Sequence, residues 1–159
     1  MPDDRLLREH LIQLLRGGHA HATFDQAVHD FPPTQMGVRP KGAQHSAWEL
    51  LEHMRIAQND ILSFSQSADY VSPEFPEGYW PKSPGPPSPR AWAGAVRAFH
   101  ADLAAFEALV TDPAQDLYCK FPWGDGQTLL REALLIADHN SYHLGQLVLV
   151  RRLLGAWPE

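Results

Sequence analysis

Apolar residues recur at spacings of three and four along four stretches of this chain, the pattern of helices with one buried face. The predicted helices cover residues 4–30, residues 46–68, a stretch that begins just after Ser88-Pro89, and residues 128–155. No stretch alternates apolar and polar residues convincingly, so no strand is predicted. Four amphipathic helices in 159 residues predict an all-α four-helix bundle that forms a single domain over residues 1–159.

Local signals mark several of the predicted helix ends. Ser46 is followed three residues later by Glu49, the pattern of a capping box. Ser88-Pro89 combines an N-cap residue with a first-turn proline, and Gly155 is a typical C-terminal stop. The pair Gly17-Gly18 interrupts the first predicted helix, which indicates either a kink or a close packing contact.

Two connections are unusually long and rich in proline. One covers residues 31–45, and the other, residues 71–89, contains seven of the fourteen prolines. Proline removes backbone donors, so residues 71–89 cannot form a helix. Because a long connection of this kind is usually functional, we expect it to wall a pocket in the bundle with Tyr79 and Trp80.

Composition narrows the class of protein. The net charge of −6 gives no basic surplus to neutralise phosphates, which argues against nucleic acid as a partner. No apolar run approaches the roughly 20 residues that span a bilayer, and the N-terminal stretch does not resemble a secretory signal. The single cysteine, Cys119, cannot form an internal disulfide, so a cytoplasmic location is predicted.

The candidate chemistry lies in histidines on the inner faces of two predicted helices. His139 and His143 are four residues apart, so both imidazoles project from one helical face. That inner stripe consists of Glu132, Ile136, His139, His143, Gln146, Val150 and Leu153. His53 lies on the inner stripe of the second predicted helix, which also holds Leu50, Ala57, Ile61 and Phe64. Three imidazoles could bind a divalent ion and leave one coordination position open, as catalytic zinc sites do.

The residues alone leave other interpretations open. Histidines on an apolar face are often ordinary core residues, although burying two unpaired polar rings is costly. Asn140 argues against a zincin protease, because the HExxH motif needs a glutamate general base at this position.

Several segments resemble those of a known family. The segments "HSAWELLEHMRIAQNDIL", "PEGYWP", "PWGDGQTLLREALLIADHNSYHLGQL" and "LGAWPE" are similar to those of the DinB/YfiT-like superfamily of metalloenzymes. The resemblance covers nearly the whole chain and implies a four-helix bundle with a divalent metal held by His53, His139 and His143. Known activities in the family include metal-dependent thiol S-transfer and thiol-dependent isomerisation.

Further residues are candidates for roles around such a site. His21 would reach the depth of the metal if the first two helices are antiparallel, as a proton shuttle or an extra ligand. Tyr142 could line the pocket, and Gln146 could contact a bound ligand. Glu49 and Glu132 could accept hydrogen bonds from ligand imidazoles, although a charge near a helix N-terminus explains each nearly as well. The remaining histidines considered are expected to face solvent: His10, His29, His45 and His100.

Together these features predict a metal-dependent enzyme of the hydrolase or thiol S-transferase type. Zinc or nickel is the expected metal, on the preference of imidazole ligands. The open position would take water or a substrate thiolate, and the absence of a carboxylate base beside the ligands favours the thiolate. The expected partners are a small-molecule substrate, such as a thiol, and a second copy of the chain in a homodimer. A non-catalytic metal-binding or stress-responsive bundle and a purely structural bundle are the alternatives.

Overall fold

The computed structural model describes residues 4–158, and in this range the protein is built from helices without a strand. The α-helices are α1 (Arg5–Arg16), α2 (Phe24–Val28), α3 (Ala47–Gln66), α4 (Ala91–Thr111) and α5 (Leu129–Leu153). Four of them are long, which confirms the predicted all-α bundle. None of the helices in the described range is long and apolar enough to cross a membrane.

The first predicted helix, over residues 4–30, is wrong in its extent. It is two helices, because Gly17 and Gly18 adopt φ values of 66° and 86° and end α1. The short α2 then begins with its own capping box, in which Thr23 and Gln26 exchange side-chain and backbone hydrogen bonds. The glycine pair therefore terminates the helix rather than kinking it.

The caps of α3 and α5 follow the sequence signals, whereas the start of α4 does not. Ser46 and Glu49 form the predicted capping box of α3, and Gly155 follows α5 with a φ of 67°. At the start of α4, Arg90 rather than Ser88 occupies the N-cap position, since Ser88 closes a turn by accepting a hydrogen bond from the amide of Ala91.

The proline-rich connection returns along α3 instead of crossing the end of the bundle. The hydroxyl of Tyr79 donates to Asp60, the carbonyl of Tyr79 faces His53, and Ser46 donates to the carbonyl of Pro84. These contacts run from the C-terminal half of α3 to its N-cap, so α4 begins at the same end of the bundle as α3. The connection therefore covers the face of α3 that carries His53.

The core divides into two clusters along the bundle. One combines the first turns of α3 and α4 with the C-terminal half of α5, and the other combines α1 with the second half of α4 and the start of α5. The apolar stripes are not buried throughout, because Leu14 is 50% exposed and Leu153 is 54% exposed. On α5, Leu134, Tyr142 and Leu149 are exposed as well, so this helix carries apolar surface that the bundle does not cover.

Candidate metal centre

Three histidine side chains meet between α3 and α5. His53 Nε2 lies 3.1 Å from Nε2 of His139 and 3.1 Å from Nε2 of His143. One nitrogen from each ring lies within 4.8 Å of the others, so the three could hold a metal ion. The i, i+4 spacing on α5 brings His139 and His143 together, and the packing of α3 against α5 adds His53.

Hydrogen bonds behind two of the rings fix which nitrogen points inward. Nδ1 of His53 lies 2.9 Å from the carbonyl oxygen of Tyr79, and Nδ1 of His143 lies 2.7 Å from Oε1 of Gln146. A backbone carbonyl can only accept, so Nδ1 of His53 carries the proton and its Nε2 presents a lone pair, and the Gln146 oxygen favours the same tautomer for His143. Histidine ligands of metals in proteins are typically oriented in this way.

The spacing of the inward nitrogens suits a single ion. Two imidazole nitrogens at bond lengths of about 2.0–2.1 Å lie ~2.9 Å apart at a right angle and ~3.4 Å apart at a tetrahedral angle. The separations of 3.1 Å fall between these values. Two lone pairs that face each other at this distance repel unless a cation or a proton lies between them, so the residues present fit a metal.

Burial keeps the three imidazoles neutral. It is the largest cause of the lowered pKa of His53 and of His143, and the bond to Gln146 partly opposes it at His143. The pKa of His139 is lowered to about 4 by burial and by the neighbouring His143 and His53, while a contact with Asn140 acts in the opposite direction. A neutral imidazole is the form that binds a metal ion.

Aromatic stacking supports the ring of His53. Trp80 lies parallel to it, with centroids 3.9 Å apart, and His45 stacks on Trp80 at 4.0 Å. The expectation that His45 faces solvent is wrong, since it is half-buried in this stack. The 71–89 segment was expected to wall a pocket with Tyr79 and Trp80; both contact His53, through the carbonyl of Tyr79 and the ring of Trp80, but neither lines the pocket beside His143.

A pocket of about 380 Å³ opens beside His143. Tyr142 and Gln146 both line it, as does His45. Tyr142 is 65% exposed and its ring meets His143 edge-on, at 4.9 Å. Gln146 turns its carbonyl oxygen to His143, so its first contact is with an imidazole rather than with open space.

The structure does not bring His21 into the three-histidine cluster. Its side chain is exposed, Nδ1 bonds the carbonyl of Ala22, and it borders a different cavity of about 330 Å³. Glu49 and Glu132 also have other partners, because Glu49 pairs with Arg39 and caps α3, and Glu132 pairs with Arg131.

Two features around the histidines had no clear signal in the sequence. His45 lies in a loop, where helical periodicity cannot assign a face, although its position just before the N-cap Ser46 places it near α3. The backbone carbonyl of Tyr79 depends on the path of the connection and not on the type of side chain. Both follow from the return of the proline-rich segment along α3.

Fold and site together define the class of protein. It is a helical bundle with three inward histidines, one from α3 and two from α5. The model of the DinB superfamily matches residues 18–147, and the chain belongs to this family. The match includes all three histidines. No curated protein and no solved structure shows significant similarity to the chain.

Proposed function

We propose that this protein is a cytoplasmic metal-dependent enzyme in which His53, His139 and His143 bind one divalent ion, zinc or nickel. The reaction would be a hydrolysis or a thiol S-transfer on a small molecule. The convergence of three Nε2 atoms between α3 and α5 is the observation that carries the proposal. A bound divalent ion would act as a Lewis acid, lowering the pKa of a water or thiol that binds beside the histidines.

The pocket beside His143 supports a small, uncharged substrate group. Its polar lining side chains are Gln44, His45, Tyr142, His143 and Gln146, and its remaining side chains are apolar. Tyr142 is the best placed of the candidates to donate a hydrogen bond to a substrate, because it is exposed and borders the pocket. His21 would act as a proton shuttle only after a movement of its loop, because its side chain now borders a different cavity.

The lining of this pocket favours thiol transfer over hydrolysis. No aspartate or glutamate is among its lining residues, so no carboxylate is placed there as a general base for water. A thiol needs less help, because its ordinary pKa of about 8.5 is close to neutral before any ion lowers it.

Metal content and turnover, measured on the same samples, test the proposal. Zinc- or nickel-loaded protein is assayed for loss of a thiol with 1-chloro-2,4-dinitrobenzene and for hydrolysis of 4-nitrophenyl acetate. We expect metal-dependent thiol transfer in the wild type and in His10→Ala, an exposed control, and none in His143→Ala. Bound metal without turnover would favour a non-catalytic metal-binding protein, and a wild type without metal affinity would overturn the proposal.

We further propose that the protein forms a homodimer through the outer side of α5. Tyr142 and Leu149 are 65% and 56% exposed on this side, and both also line the pocket beside His143, so the partner subunit would border that pocket. Asp138 and Arg152, both exposed, lie seven residues before and after Gly145, so the three share one face. Two antiparallel copies of α5 that cross at Gly145 would place Asp138 against Arg152 of the partner subunit. This charge complementarity and the central glycine support a second copy as the occupant.

A further inference from the structure

A buried row of hydrogen bonds leads from α4 to the histidine cluster. The side chain of Gln58, 1% exposed, donates from Nε2 to the carbonyl oxygen of Phe99 at 2.7 Å. Oε1 of Gln58 accepts from Nδ2 of Asn140 at 2.9 Å. Asn140 lies in α5, directly after His139 and three residues before His143. The row therefore links the backbone of α4, through α3, to the helix that bears two of the three histidines.

The first acceptor sets the direction of every bond in this row. A backbone carbonyl oxygen can only accept, so Gln58 must turn its NH₂ group to Phe99 and its oxygen to Asn140. Asn140 must then turn its own NH₂ group to Gln58, and its Oδ1 is left as an acceptor. The Phe99 carbonyl therefore determines, for both amides, which atom is the oxygen and which is the nitrogen.

This last acceptor has no donor in hydrogen-bond geometry within the described range. Oδ1 of Asn140 is buried, so water does not satisfy it at the protein surface. A buried acceptor without a donor is energetically costly. We therefore expect a nearby group to donate a hydrogen bond to this oxygen. His139 is the adjacent residue, and among residues 4–158 no acceptor lies in strict hydrogen-bond geometry behind its Nδ1, in contrast to Nδ1 of His53 and of His143.

We propose that Oδ1 of Asn140 accepts the Nδ1 proton of His139, so that the Gln58–Asn140 pair is a positioning device for this imidazole. The bond selects the tautomer whose Nε2 carries a lone pair and holds that nitrogen toward His53. Each of the three imidazoles then has an oxygen behind it: Tyr79, Gln146 and Asn140.

The hydrogen bond between Asn140 and His139 does not depend on the proposed function. Its effect on metal binding does, and in that respect the inference rests on the proposed function. Position 140 is the one at which a zincin would carry a catalytic glutamate. Here an amide stands in that position and is turned away from the cluster, toward Gln58. Asn140 is therefore assigned to positioning and not to proton transfer.

Two substitutions at one position separate positioning from stability. Asn140→Leu removes both the acceptor for His139 and the bond to Gln58. Asn140→Asp keeps an acceptor for His139 but places a second oxygen against Oε1 of Gln58, so it costs stability without losing the positioning bond. Asn59→Leu is the matched control, because Asn59 is a partly buried amide of α3 that bonds Asp102 on α4, outside this row.

The tautomer of His139 is read in metal-free, ¹⁵N-labelled protein that carries His53→Ala, so that no lone pair of His53 faces Nε2 of His139, by long-range ¹H–¹⁵N correlation at neutral pH. We expect the Nδ1–H form to predominate in this His53→Ala background, both alone and combined with Asn140→Asp or Asn59→Leu, and to give way to the Nε2–H form when it is combined with Asn140→Leu. The same tautomer with and without Asn140→Leu would overturn the inference. If the Asn140→Leu protein does not fold, an Nε2–H tautomer in the background alone or with Asn140→Asp overturns it equally.

Zinc affinity, measured by competition with a chelating dye, tests the consequence separately. Loss of a group that orients a ligand typically weakens metal binding by about 10–100-fold. We expect a loss of this size in Asn140→Leu and a change of less than about threefold in Asn59→Leu. Failure of the wild type to bind zinc or nickel would overturn the proposed function, while the tautomer measurement would still decide the role of Asn140.

Discussion

His53 and Trp80 lie face to face, with ring centroids 3.9 Å apart and planes inclined by 1°. Trp80 comes from the proline-rich connection, and the preceding residue, Tyr79, supplies the oxygen that holds His53 Nδ1 at 2.9 Å. One dipeptide therefore fixes both the tautomer and the plane of this imidazole. The connection therefore joins α3 to α4 and also forms part of the candidate metal centre.

Replacing Trp80 with alanine should separate these two contributions. The carbonyl of Tyr79 remains in Trp80→Ala, so we expect about one metal per chain to stay bound. Loss of a half-buried indole should lower the free energy of unfolding by about 1–3 kcal/mol and expose one face of His53 to solvent. Access of ligands to the centre should change as well.

Metal content, melting temperature and the affinity for a thiol are measured on the same preparation, with Trp80→Phe as the conservative control. Loss of the metal in Trp80→Ala would show that stacking, and not the Tyr79 carbonyl, positions His53. A change confined to the melting temperature would show that the indole only packs against the core.

Removal of one histidine of the cluster should abolish tight metal binding. In His143→Ala two imidazoles remain, and a two-point site holds a divalent ion weakly. We expect elemental analysis to give about one metal per wild-type chain and less than about a tenth of that in the variant. His45→Ala is the matched control, because His45 lies in the same stack but outside the cluster. Equal metal content in the wild type and His143→Ala would remove this residue from the site.

Features of the fold that depend on a few neighbouring residues were predicted from the sequence, and features that depend on distant residues were not. Ser46 with Glu49 marks the start of α3, and Gly155 marks the end of α5. Both signals lie within a few residues of the helix end that they mark, and both predictions are confirmed. The break after α1 was visible as Gly17-Gly18, but a glycine pair is compatible with a kink or with an end. Which of these occurs depends on the capping box that starts α2 further along the chain.

The arrangement around the histidines shows the same division. The pairing of His139 with His143 is a local consequence of helical spacing, and the apolar face of α3 indicated that His53 points inward. The acceptor for His53 is a backbone atom of Tyr79, 26 residues away in the chain, and the Gln58–Asn140 contact spans 82 residues. Contacts of this kind depend on the path of a loop and the register of two helices, which periodicity does not define.

The metal-free protein should lose stability as the pH falls from about 6.5 to about 4. In the unfolded chain a histidine has its ordinary pKa of about 6.5, whereas burial and two neighbouring imidazoles lower the pKa of folded His139 to about 4. Between these values the unfolded state binds more protons, so the free energy of unfolding decreases with falling pH. Above this window the residue has no effect on the pH dependence, and below it the loss is complete.

Urea denaturation of chelated protein at several pH values between 4 and 7.5 measures this slope. His139→Asn should show a shallower slope than the wild type, whereas His10→Asn, at an exposed position, should not change it. An identical slope in the wild type and His139→Asn would contradict the assignment of the low pKa to this residue. Saturating zinc should raise the stability of the wild type at neutral pH, because the ion binds the folded site preferentially.

The outer side of α5 gives the last prediction, which concerns the homodimer. In an antiparallel pair that crosses at Gly145, Asp138 faces Arg152 of the partner subunit twice. Asp138→Lys alone and Arg152→Glu alone should each place like charges together and weaken the dimer, whereas the double variant should restore it. Leu149→Glu should give a monomer, and Leu6→Glu, at an exposed leucine of α1, should not. Analytical ultracentrifugation over a range of concentrations measures the dissociation constant of each variant. If the double variant is as weak as the single ones, the two residues do not face each other, and a wild type that is monomeric at all concentrations rules out the dimer itself.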